Sequence, residues 1–305
     1  MDRTIALTGA SGFIGSAVLR KLVQLPSTQV LAVSRSRPPI SAPNVKWIEA
    51  CLSGMAGAHW PVGDGLDALL HVGAFTPKAV QDRNRAEDIY TANISGTHTL
   101  LRSLPRPPRR VVFCSTLDVY APEAFSRPVT EAARTAPDGL YGASKLFGEA
   151  LVKSFAEETG AEQVALRLGH VYGPGENRYV KLIPETIRRV LAGRSPRIAG
   201  DGRERRDLLY VDDAAEAIVR AVSAPIGAAP VINVASGESH EVHEVVELIA
   251  DLAGYTGPLE KLPAAGAPRS IVFDTGLMRR VLGDWPLTAL EVGLRYEIAW
   301  FKESA

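Results

Sequence analysis

The chain has 305 residues, 46% of them apolar, and its 34 Lys plus Arg are balanced by 34 Asp plus Glu. That length allows one large domain or two moderate ones. Zero net charge leaves no footprint for nucleic acid or for a polybasic membrane anchor, and no apolar run approaches the ~20 residues that cross a bilayer.

The N-terminus enters the strand-like Ile5-Ala6-Leu7-Thr8 at once, without a signal peptide's long apolar segment and cleavage site, so a cytoplasmic protein is expected. Short apolar runs at 4–7, 29–33, 68–71 and 110–114 suit a parallel sheet covered on both faces. Helical periodicity lies between them at 13–24, 85–104 and 142–159; Asn93 and Gly96 interrupt the second of these without ending it. This alternation predicts an α/β fold, a Rossmann-type doubly wound parallel sheet. Residues 163–168 read as a further strand. Glycine and proline then punctuate shorter elements, with helices expected near 180–192, 212–223, 240–253 and 288–302. The predicted division is a dinucleotide-binding domain at 1–168 plus roughly 207–235, and a smaller mixed substrate-binding lobe at 169–206 and 236–305. The Arg102–Arg110 stretch reads as a solvated loop, and Trp285 as a core anchor.

Gly9, Gly12 and Gly15 follow the first strand in a G-x-x-G-x-x-G pattern. Gly9 would allow the tight turn, Gly12 the approach of backbone to phosphate, and Gly15 close packing of helix on strand; the helix N-terminus then faces a pyrophosphate. After the second strand comes Ser34-Arg35-Ser36-Arg37, where a carboxylate would select NAD. Arg35 could pair with a 2′-phosphate and Ser34 and Ser36 could donate to it, which favours NADP over NAD; solvated loop arginines are the plainer alternative.

Tyr141 and Lys145 are four residues apart and share a helix face. A nearby ammonium favours the phenolate, so Tyr141 could exchange a proton with an alcohol or ketone while hydride moves. Lys145 would also hold the nicotinamide ribose. Ser115 and Thr116 end the fourth predicted strand at the carboxyl edge where such sheets bind ligands. Cys51 and Cys114 have neither metal nor redox spacing and read as buried free thiols. His240 and His243 are spaced i,i+3, unlike the i,i+4 of a zinc-protease helix. Asp212-Asp213 fits a helix N-terminus. No metal site is expected.

These motifs resemble the extended short-chain dehydrogenases/reductases, in the group of NAD-dependent sugar-nucleotide epimerases, dehydratases and ketoreductases. The likeness runs through TGASGFIG at 8–15, LLHVGA at 69–74, NISGT at 93–97, CSTLDVY at 114–120, YGASK at 141–145, LRLGHVYGPG at 166–175 and GDGRERRDLLYVDD at 200–213. The resemblance implies a catalytic Thr116, Tyr141 and Lys145. It implies cofactor contacts from Gly9, Ser11, Gly12, Phe13, Ile14, Gly15, Ser34, Arg35, His71, Gly73, Ala74 and Asn93, with Tyr141 and Lys145. Asn93 would support the active site through backbone or water contacts. It implies nucleotide-sugar contacts from Thr116, His170, Arg206 and Arg269, and a homodimer formed by helices near 87–104 and 144–159.

Departures from the family pattern narrow the chemistry. The 4,6-dehydratases carry Asp-Glu after the catalytic threonine; here Leu117-Asp118 follows, and leucine cannot donate a proton. His170 replaces the family's common asparagine. The expected function is therefore NAD(P)H-dependent reduction of a keto-deoxysugar nucleotide at C4. A sugar-nucleotide 4-epimerase with retained NAD and a non-catalytic NAD(P)-sensing protein are the alternatives.

Overall fold

In the computed structural model, which describes residues 3–304 except 56–58, 62–64, 127, 177, 228 and 265–269, the chain begins with β1 (Arg3–Thr8), α1 (Phe13–Leu22), β2 (Thr28–Ser34), β3 (Val45–Glu49) and β4 (Ala68–His71). Next come α2 (Ala86–Ile89), a π-helical turn at Tyr90–Ser95, α3 (Gly96–Ser103), β5 (Arg110–Thr116), α4 (Leu140–Thr159) and β6 (Glu162–Leu168). The second half contains β7 (His170–Tyr172), α5 (Leu182–Leu191), β8 (Arg197–Ala199), β9 (Arg205–Tyr210), α6 (Val211–Arg220) and β10 (Val231–Val234). It ends with β11 (Ser239–Glu241), α7 (Val242–Ala253), β12 (Glu260–Leu262), α8 (Gly276–Leu282) and α9 (Leu290–Glu303).

Seven strands form one sheet in the order β10-β6-β5-β4-β1-β2-β3, parallel at every pairing. Strand residues alternate between two apolar layers, as a period of two requires. Ile5, Leu7, Leu70, Val112 and Leu166 face α1, α6 and the second half of the chain. Ala6, Leu69, Val111, Phe113 and Ala165 face the α3 and α4 side. The predicted doubly wound Rossmann-like sheet is therefore present. Strand order reverses between β1 and β4, which makes their carboxyl ends the topological switch point where ligands bind.

A three-stranded sheet β11-β9-β7 and a two-stranded sheet β12-β8 lie outside the large one. These short strands, together with β3 and α8, are not foreseen in the sequence; three-residue strands are too short to show periodicity. The single helix expected at 85–104 is split by the π turn, with Asn93 buried inside it. The two cysteines differ: Cys114 is buried, but Cys51 is exposed. Arg110 is not a solvated loop residue. It opens β5 nearly buried, and its guanidinium binds Glu162 and the carbonyls of Ala221 and Ala224. Trp285 packs half-buried beneath the Arg220 guanidinium, 4.7 Å from its ring centre.

Two glycines bring α4 against the sheet. A β-carbon at Gly148 would lie 2.5 Å from Phe113 Cζ, and one at Gly142 would collide with the Asp118 carbonyl. The second clash is with backbone, which cannot rotate away. Gly142→Ala is therefore expected to lose about 1–3 kcal/mol of stability, as overpacked positions do, and to push α4 off the end of β5. Denaturant unfolding checks the first effect; an unchanged midpoint would contradict it.

Candidate active site

The turn between β1 and α1 needs a backbone that glycine supplies. Gly9 has φ of +73°, and a side chain there would run into Gly73. A β-carbon on Gly15 would strike the Gly9 carbonyl. Gly12 caps α1 with no side-chain hydrogen bond, so the first-turn N–H groups, including those of Phe13 and Ile14, point outward without intrahelical acceptors. This small, donor-rich cradle fits a dinucleotide pyrophosphate, and added side chains would fill it. Ser11 lies on its rim and accepts a hydrogen bond from the Ser36 hydroxyl at 3.1 Å, which ties the β2 end to the cradle.

Arg35 is exposed at that end. Ser34 is not available as expected: its hydroxyl is buried and donates to the Ser36 carbonyl at 2.8 Å. His71 also departs from expectation. It is fully enclosed at the end of β4 and offers the cofactor groove no surface. The Thr97 hydroxyl donates to the Asn93 carbonyl at 2.7 Å, so it accepts from His71 Nε2–H at 2.9 Å. His71 Nδ1 then accepts from the Thr8 hydroxyl at 2.8 Å, while Thr8 accepts from the Gly73 N–H at 3.0 Å. Burial, and secondarily the charge of Lys145, pushes His71 down to about 3, so it is a neutral strut between the cradle and the loop that carries Gly73 and Ala74.

Asn93 grips the same loop. Its Oδ1 accepts from Phe75 N–H at 2.7 Å, and its Nδ2 donates to the Phe75 carbonyl and to Ser144 Oγ, each at 3.0 Å. The carboxamide is thereby committed to protein partners, and direct side-chain contact with a cofactor is not its role. A π turn at this residue is the kind of local irregularity that recurs at functional sites.

β5 and α4 bring the expected chemical residues together. Ser115 Oγ donates to Glu149 at 2.5 Å, so the hydroxyl left at the strand end belongs to Thr116. Thr116 Oγ1 accepts from Asp118 N–H at 3.3 Å and lies 3.4 Å from the Asp118 carboxylate. Tyr141 is partly buried on the first turn of α4, and Lys145 is buried one turn later, its ammonium 4.2 Å from the centre of the Phe113 ring. Burial raises the Tyr141 phenol, and the carboxylate of Asp118 adds to this. The phenol is thus protonated at neutral pH. Burial lowers Lys145 to about 8, against the opposing pull of Cys114 and Glu149. Asp118 is exposed on the turn that follows Thr116.

Across the groove, β7 and β9 pair in parallel and carry His170 and Arg206. Arg206 pairs with Glu204 at 2.9 Å. Burial, then the charges of Arg206 and Lys181, hold His170 at about 3 and therefore neutral. Lys181 was not anticipated; it binds the buried Glu176 at 2.8 Å. Its only signal in the sequence is its place beyond the Gly173-Pro174-Gly175 turn. Arg269 lies outside the described residues. His240 and His243 fall on separate elements, β11 and α7.

A glycine-rich turn at the switch point, with a partly buried tyrosine one helical turn before a buried lysine, is the arrangement expected of an NAD-dependent oxidoreductase. Sequence comparison agrees: the family model for the NAD dependent epimerase/dehydratase family matches residues 5–235, and the chain belongs to that family. The chain is 28% identical to a dTDP-4-dehydro-6-deoxy-D-allose reductase from a Streptomyces species, over 98% of this chain and 96% of that one. The UDP-glucose 4-epimerase of Thermotoga maritima, solved with UDP-glucose, superposes with a TM-score of 0.84 at 26% identity, covering 99% of both chains. The protein MoeE5, solved with UDP-glucose and NAD, gives the same TM-score at 28% identity, again over 99% of each chain.

Proposed function

We propose that this enzyme reduces the 4-keto group of a nucleotide-linked deoxysugar. The bound nicotinamide would supply the hydride. Tyr141 donates its phenolic proton to the substrate oxygen, the Lys145 ammonium stabilises the phenolate left behind, and the Thr116 hydroxyl orients the carbonyl. Gly9, Ser11, Gly12, Phe13, Ile14 and Gly15 would cradle the pyrophosphate, with Gly73 and Ala74 closing over it. His170, Arg206 and Lys181 are the candidates to meet the nucleotide diphosphate; Arg269 joins them from the resemblance alone.

The observation that carries the choice of reaction is Leu117. It is 5% exposed, in an apolar cluster with Phe125 and Phe273, where the related dehydratases carry an acid. The likeness to a ketoreductase over nearly the full chain supports the same reading. A retained-NAD 4-epimerase is the second reading, favoured by the overall likeness to the Thermotoga enzyme. Denaturing the fresh protein and identifying any released nicotinamide by mass spectrometry separates the two. An exchangeable site that takes up NADPH, followed by its oxidation with a keto-sugar nucleotide, is the expected outcome; stoichiometric retained NAD would point to the epimerase.

We further propose a preference for NADP, resting on exposed Arg35 where a carboxylate would select NAD. Arg35→Ala should weaken NADPH binding about tenfold, roughly 1.4 kcal/mol, and leave NADH binding nearly unchanged. Fluorescence titration with both cofactors measures this; equal losses for both would count against a 2′-phosphate contact. The reading also includes a cytoplasmic homodimer. Its support is exposed Tyr90 and Phe147 (57% and 51%) on the two helical segments expected to pair. The division between a dinucleotide-binding domain and a smaller substrate lobe belongs to the same reading.

A further inference from the structure

We propose that Asp118 selects the sugar: its carboxylate accepts a hydroxyl beside the reacting carbon and turns away sugars that carry an acid group. The inference deepens the reading above and rests on it in one respect, that Thr116 meets the oxygen on the reacting carbon.

The turn after β5 holds this one charge in place. Leu117 and Val119, on either side of Asp118, are buried in the apolar cluster with Tyr120 and Phe125. The backbone is fixed at three points. Tyr120 N–H donates to the Leu117 carbonyl at 3.1 Å, and Asp118 N–H donates to Thr116 Oγ1 at 3.3 Å. The Asp118 carbonyl lies against Gly142, where a β-carbon would approach it to 2.2 Å. Gly142 follows Tyr141 on the first turn of α4, so the Asp118 backbone is set between the threonine and the helix turn that carries the tyrosine. Of the three residues in the turn, only Asp118 is exposed. Among the described residues its carboxylate has one hydrogen-bond partner, the Thr116 hydroxyl at 3.4 Å. A carboxylate accepts at about four lone-pair sites, so most of its capacity is not spent on the protein.

The chemistry follows from the shared hydroxyl. To orient a ketone, Thr116 must donate its one proton to the substrate oxygen, and it then no longer donates to Asp118. The carboxylate can only accept, and it is left to take another donor. Two hydrogen-bond lengths end to end place it no more than about 6 Å from the ketone oxygen. Substituents on the carbons flanking the reacting carbon lie within that reach. A hydroxyl there completes a charge-assisted hydrogen bond. A carboxylate there meets a like charge, which lowers affinity about 10- to 100-fold at the effective dielectric of a protein surface. The substrate class is therefore an uncharged sugar with a hydroxyl beside its keto carbon, and uronic sugars are excluded.

The test uses the cofactor-loaded enzyme with UDP-glucose and UDP-glucuronate, which differ only in the group on the carbon next to C4. The same pair on dTDP replaces them if dTDP binds more tightly than UDP. Calorimetry should show wild type binding the neutral sugar about 10- to 100-fold more tightly than the uronate. Asp118→Asn keeps the shape and removes the charge, so the gap should close to within about threefold, mainly through tighter binding of the uronate. The affinity for the nucleoside diphosphate alone should stay within about twofold of wild type, because the change touches none of the residues assigned to the diphosphate. In Asp118→Ala, kcat/KM for a neutral 4-keto-6-deoxyhexose nucleotide should fall about tenfold with loss of the hydroxyl contact. A wild type that binds both sugars equally, a gap that persists in Asp118→Asn, or an unchanged kcat/KM in Asp118→Ala would overturn the role of Asp118. A wild type that oxidises no NAD(P)H with the ketone would overturn the reductase reading instead, and the binding comparison would still decide Asp118. No measurable binding of UDP, dTDP or their sugars would overturn the nucleotide-sugar reading itself, and the selection with it.

Discussion

Tyr141→Phe should reduce turnover about 10³-fold, equivalent to roughly 4 kcal/mol of transition-state stabilisation, while cofactor binding and folding stay near wild type. The substitution removes one oxygen from a partly buried ring and leaves the α4 backbone intact, so the loss isolates proton transfer. The pH dependence follows from the same pair. Burial holds the phenol protonated through neutral pH, so Tyr141 sets no acid limit. Lys145, lowered to about 8, is cationic below that value and neutral above it. Its charge stabilises the phenolate formed on donation, so kcat/KM should fall as pH rises through about 8. A variant retaining more than a tenth of wild-type turnover would remove Tyr141 from the role of proton donor.

Glu149→Ala should cost about 3–5 kcal/mol of folding stability, the range seen when one partner of a buried ion pair is removed. Glu149 bonds Arg167 through both carboxylate oxygens, at 2.9 and 2.7 Å, and also receives the Ser115 hydroxyl. The two charged side chains are only 10% and 6% exposed. Among the described residues Arg167 Nη1 is buried with no hydrogen-bond partner, so the guanidinium relies on this carboxylate and on the Tyr120 ring, 4.8 Å away. Without Glu149 a cation is left unpaired in the interior. The pair also fastens α4 to β5 and β6 one helical turn beyond Lys145, and its carboxylate supports the lysine's charge. The high-pH limb of activity should therefore move to lower pH in Glu149→Gln, even where that protein folds. Denaturant unfolding and a pH–rate profile read the two effects separately. A stability change below about 0.5 kcal/mol would mean that water or a rearranged side chain takes over from Glu149.

The early elements were legible because their signals are local. β1, β4, β5 and β6 are short apolar runs bounded by polar turns, and the glycine spacing at 9, 12 and 15 reflects contacts within a single strand–turn–helix unit. Tyr141 and Lys145 could be paired from helical geometry alone. Resemblance alone prefers Thr116 to Ser115; in the structure Glu149 takes up the Ser115 hydroxyl.

What remained hidden depends on partners distant in sequence. Ser34 and His71 are chemically suited to meet a cofactor, yet their hydrogen bonds are spent on Ser36 and on Thr8 and Thr97. Glu149 and Arg167 carry no motif and become a unit only because β6 lies beside β5 under α4. The sequence alone determined the α/β layering, the glycine-rich turn after β1 and the placing of Tyr141 and Lys145 on one helix face, because each follows from backbone period or steric need over a few residues. Only the tertiary structure decided which polar groups face the groove and which are consumed in holding it, because buried donors and acceptors must be satisfied by whatever the fold brings beside them.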